Sequence, residues 1–115
     1  MQFKLIMAFV DADKTDKVMN AAREAGATGA TIVNNAQGQG LHKVIGILGF
    51  EVLEPRAVVL ILSESRRADH ILEAIAEAGE MDESLSTGIA IQIDVDKALG
   101  LKEHISALEK EIPVL

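Results

Sequence analysis

The feature that most constrains this chain is an order of hydrophobic periods that occurs twice. Residues 3–10 (FKLIMAFV) make a nearly unbroken apolar run of strand length, interrupted by one Lys and closed by Asp11-Ala12-Asp13. The period then changes. Val18, Ala21, Ala22 and Ala25 recur at helical spacing, with Lys14, Asp16, Lys17, Arg23 and Glu24 mostly on the other side. Asp13 or Thr15 is the expected cap, because a short side-chain oxygen accepts the free amide hydrogens of a first turn. Gly26 is placed to stop the helix in the left-handed conformation. Residues 30–34 (ATIVN) follow as a strand, since Thr, Ile and Val branch at Cβ and favour extended chain. The second half repeats the order. Residues 57–62 (AVVLIL) are a second buried run, and Ser65 is the expected cap of a helix through Ala78. Ile71, Leu72, Ile75 and Ala78 form its inward stripe, and Gly79 ends it. Residues 89–95 (IAIQIDV) give a last strand, in which Gln92 and Asp94 face away from Ile91, Ile93 and Val95.

Two consecutive βαβ units of this size predict an α+β, ferredoxin-like βαββαβ sandwich, with a four-stranded antiparallel sheet and two helices on one face. At 115 residues the chain has room for one domain, spanning 1–115. Two segments fall outside the repeat: 35–55 between the halves, and a C-terminal extension over 96–115. In the extension Leu101, Ile105, Leu108 and Ile112 share one helical face, and Pro113 terminates the helix. That face is expected to cover the open side of the sheet or to dock on another subunit.

Composition removes several classes of function. Eleven Lys+Arg against 18 Asp+Glu leave a net charge of −7, and the only aromatic residues are three Phe. Nucleic-acid binding is therefore not expected, for want of a basic face and stacking rings. Without cysteine there is no disulfide or thiolate metal site. No apolar run approaches the roughly 20 residues needed to span a bilayer, and no secretory signal opens the chain, so a cytoplasmic location is expected. His42, His70 and His104 stand far apart in no recognisable motif, which argues against an enzyme. His42 is the one histidine worth testing as a ligand. Arg66-Arg67 reads as a solvated surface pair or a phosphate contact, and Glu80, Asp82 and Glu83 as a solvated turn without EF-hand spacing.

The two long strands are apolar on both faces, yet two helices cover only one. A bare aliphatic face of that extent is an aggregation hazard on a monomer, so self-association into a symmetric ring is expected.

On these residues the chain resembles the PII signal-transduction superfamily, from Phe3 to about Lys102. Ala27-Thr28-Gly29-Ala30-Thr31-Ile32-Val33 is similar to the family's T-G-x-T before a β-branched strand. Gly38-Gln39-Gly40 resembles its G-F-G at the base of the long T-loop. Leu85-Ser86-Thr87-Gly88 before the last strand resembles its G-D-G-K. The resemblance implies a homotrimer that binds adenine nucleotides (ADP, ATP or AMP) in clefts between subunits and acts without catalysis on a target protein. It places Thr28, Gly29, Thr31, Gly38, Gly40, Thr87, Gly88 and Lys102 around the nucleotide, where glycines let backbone amides approach a phosphate.

The departures from the family pattern are also informative. The family's Lys of G-D-G-K falls on Ile89 and one of its arginines on Gly100, so two cations that meet a polyphosphate are missing. Each such contact is worth about 1.5–3 kcal/mol, so triphosphate binding is expected to be weak. A nucleotide with fewer phosphates, a different anion, or no nucleotide are the alternatives. The chain has no Tyr to uridylylate and no Ser or Thr between Gly38 and Pro55 to phosphorylate. Leu41, His42 and Lys43 replace the family's Arg-Gln-Lys run, so the usual route to 2-oxoglutarate sensing is not expected. The loop itself is short and apolar. Two readings of it stand: an extra hairpin packed on its own subunit, or an aliphatic tip (Val44, Ile45, Ile47, Leu48, Phe50) inserted into a partner such as a membrane transporter or metabolic enzyme. Rival functions are a divalent-cation tolerance-type trimer, which needs a His or carboxylate cluster at a subunit junction, a small ferredoxin-like enzyme, which needs a convergent acid/base pair, and a purely structural trimer.

Overall fold

The computed structural model describes residues 2–37, 55–81 and 88–101. The elements follow the expected order: β1 (Phe3–Asp11), a 3-10 turn (Ala12–Lys14), α1 (Thr15–Glu24), β2 (Thr31–Gln37), β3 (Pro55–Glu64), α2 (Ser65–Ala78) and β4 (Ile89–Asp94). The strands lie in the order β2-β3-β1-β4, and every neighbouring pair is antiparallel. This is the ferredoxin-like arrangement. Strands β2 and β3 run further than their apolar stretches because pairing continues past them, to Gln37 opposite Pro55 and to Glu64 opposite Phe3. A bulge in β2 between Val33 and Ala36 is absorbed by Asn35 at φ 64°, a left-handed position that Asn tolerates well.

One face of the sheet packs on both helices. Ile6, Ala8 and Val10 of β1 and Ala57, Val59 and Ile61 of β3 are buried against Val18 and Ala22 of α1 and Ala68, Ile71 and Ile75 of α2. Leu72 packs at the margin of this core. Burying each of the larger aliphatic side chains stabilises the fold by about 1.5–3 kcal/mol, and this aliphatic layer takes the place of an aromatic core.

The helix ends differ from the sequence expectation in two places. Neither Asp13 nor Thr15 caps α1. The 3-10 turn leads directly into it, and the Thr15 hydroxyl donates back to the Ala12 carbonyl at 3.0 Å. Glu64, not Ser65, caps α2: its buried carboxylate accepts from the Arg66 amide at 2.9 Å and from Arg66 Nε at 2.8 Å. Gly26 does stop α1 at φ 111°, with Gly26 N bonded to Arg23 O and Ala27 N to Ala22 O. Gly79 ends α2 as expected, as its C-cap, and the residue after it, Glu80, takes the left-handed conformation at φ 55°. A Cβ at Gly79 would meet the mobile end of the Met81 side chain at 2.8 Å and Ile75 O at 3.2 Å, contacts that a small shift of Met81 relieves in part.

The other face is apolar in cross-strand rows. Val33, Val58, Phe9 and Ile89 form one row, Thr31, Leu60, Met7 and Ile91 the next, and Leu62, Leu5 and Ile93 a third. Ile89 is 61% exposed, Val33 48% and Ile93 46%. The polarity of β4 matters here. Its polar residues turn toward the helix layer, where Gln92 Nε2 donates to Asp69 Oδ1 of α2 at 2.8 Å and Asp94 pairs with Lys4 at 3.1 Å. Its isoleucines take the open face, and among the described residues no second layer covers that face. The expected C-terminal helix, with His104, lies outside the described residues.

Candidate functional site

The nine candidate positions outside the described residues are Gly38, Gly40, Thr87 and Lys102 of the expected nucleotide set, and Val44, Ile45, Ile47, Leu48 and Phe50 of the expected partner set. The others are placed. Thr28 and Gly29 are exposed in the stretch between α1 and β2, and Thr31 is exposed at the start of β2. Gly88 sits immediately before β4.

The two glycines have different reasons to be glycine. Gly88 has φ 121°, and a Cβ there would lie 2.8 Å from the Phe9 carbonyl oxygen. The close approach of 88 to β1 admits no side chain. Gly29 has nothing within 4 Å of where its Cβ would be. The fold alone gives no steric reason for glycine at 29.

The sheet order separates these residues. Thr31 stands level with Leu60, Met7 and Ile91, on the β2 edge. Gly88 precedes Ile89, which is level with Phe9, on the β4 edge. At about 4.8 Å between strands and about 3.4 Å per residue, Thr31 and Gly88 are roughly 17 Å apart, with two strands between them. Thr28 and Gly29 precede β2 on the side away from Gly88. Within one copy the described candidates Thr28, Gly29, Thr31 and Gly88 therefore do not converge on one point.

The Gly88 end of the sheet is where the chain leaves β2 at Gln37 and returns at Pro55, which are opposite each other in register. Two ion pairs brace this end. Arg56, the first residue after Pro55, places Nη1 2.7 Å from Asp11 Oδ1 at the end of β1, and both side chains are mostly buried. Lys14 Nζ donates to Glu80 Oε2 at 3.3 Å and to the Gly79 carbonyl at 3.4 Å, tying the start of α1 to the end of α2. The Met81 side chain lies beside Gly88, so the two described ends of the 82–87 segment are close together. Sequence reasoning missed both pairs, whose partners stand 45 and 66 positions apart; the strand register that aligns Asp11 with Arg56 was the available signal for one of them.

At the opposite end, Lys4, Ser65, Asp94, Asp96, Lys97 and Leu101 are among the residues lining a hollow of about 370 Å³ between β1, β4 and the start of α2. Arg66 and Arg67 also lie at this end. Arg66 is committed to the Glu64 carboxylate rather than solvated freely, and the Arg67 side chain runs past Gly26. His70 is exposed.

The sequence model of one family, described as nitrogen regulatory protein P-II, matches residues 3–104. The chain belongs to that family. A comparison with curated proteins gave no match. The P-II assignment spans every described element and agrees with the ferredoxin-like sheet order. It makes this a P-II-like regulatory protein, of a family that is regulatory and generally not catalytic. Among the described residues, no helix of the P-II chain is long and apolar enough to cross a membrane.

Proposed function

We propose that this P-II chain works as a cytoplasmic, non-catalytic homotrimer of single-domain subunits (1–115) that senses a nucleotide in clefts between copies and controls a target protein. The observation that carries the reading is the open sheet face: three cross-strand rows of mostly apolar side chains, extended onto β4 by directing Gln92 and Asp94 toward the helices. An edge strand gains nothing from exposing isoleucines to water, and everything from burying them against another copy.

The separation of the candidate residues supports the same reading. Thr28, Gly29 and Thr31 on one edge and Gly88 on the other reach one ligand when two copies meet, the first set from one copy and the second from its neighbour. Gly38, Gly40, Thr87 and Lys102 complete the proposed set and lie outside the described residues. Glycine at 29, unneeded by the fold, then allows the neighbouring ligand to come close.

Control runs through the 38–54 segment, whose Val44, Ile45, Ile47, Leu48 and Phe50 bind an apolar groove on the target, a transporter's cytoplasmic face or a metabolic enzyme. A ligand that binds one setting of this segment better than another shifts its population and so the target's occupancy. Sedimentation equilibrium tests the assembly, with a mass of three chains expected; a folded single copy at working concentration refutes it. Calorimetry with adenosine, AMP, ADP and ATP tests the ligand, and absence of heat from all four removes it. Replacing Ile47 and Phe50 by Ser tests the target surface: lost capture with stability intact supports it, and lost stability supports an intramolecular hairpin instead.

A further inference from the structure

We draw no further inference here: the strongest candidate, the hollow at the end of the sheet lined by Phe3, Lys4, Asp94 and Leu101, lies where the described residues end, and nothing among them shows what fills it.

Discussion

The α-carbon of Gly88 faces the carbonyl oxygen of Phe9 so closely that a methyl group added at 88 would stand 2.8 Å from that oxygen, on a backbone held at φ 121°. This contact fixes where β4 begins against β1. It also separates two kinds of glycine in one chain, those the fold requires and those it merely permits.

Gly88→Ala is expected to destabilise the protein by about 2–3 kcal/mol, from the strained φ together with the backbone contact. Gly29→Ala, with open space around it, is expected to leave stability within about 0.5 kcal/mol while weakening nucleotide binding. Urea unfolding of the two variants, with calorimetry on the second, checks the contrast. Equal stability losses would show that Gly29 has a structural duty.

Glu64 is 4% exposed and holds the first turn of α2 through Arg66. Glu64→Ala is expected to cost about 1–2 kcal/mol by removing the cap. Ser65→Ala, at the position the sequence favoured as cap, is expected to cost less than about 0.5 kcal/mol. Midpoints of denaturant unfolding decide between them.

Asp11 and Arg56 form a mostly buried ion pair where the 38–54 segment joins the sheet. A double-mutant cycle with Asp11→Asn and Arg56→Gln is expected to return a coupling of about 1–2 kcal/mol, above the range of exposed pairs. A coupling near zero would place both side chains effectively in water.

Ile91 lies in the middle row of the open face, level with Met7. Ile91→Lys is expected to lower the sedimentation mass to that of one chain while far-ultraviolet circular dichroism keeps its helical signal. A variant that stays assembled would move the interface elsewhere on the molecule.

The order of strands and helices was legible because hydrophobic period is a local property. Phe3 to Val10, Val18 to Ala25 and Ile71 to Ala78 each carry their own signal, and two βαβ units of this length have few ways to pack. The family resemblance was legible in short motifs for the same reason. The helix caps were less legible. Ser65 and Thr15 have capping chemistry, but the register of β3 against β1 carries the strand to Glu64, which leaves its carboxylate at the first turn of α2.

What the sequence by itself determined is the set of elements and an apolar surface larger than two helices can cover, since both follow from side chains within a few residues of one another. Only the tertiary structure decided which side of β4 faces outward, which cations are already neutralised, and that Thr31 and Gly88 stand on opposite edges of the sheet. Those outcomes depend on strand order and register, which bring together or hold apart residues such as Asp11 and Arg56 that lie far apart along the chain.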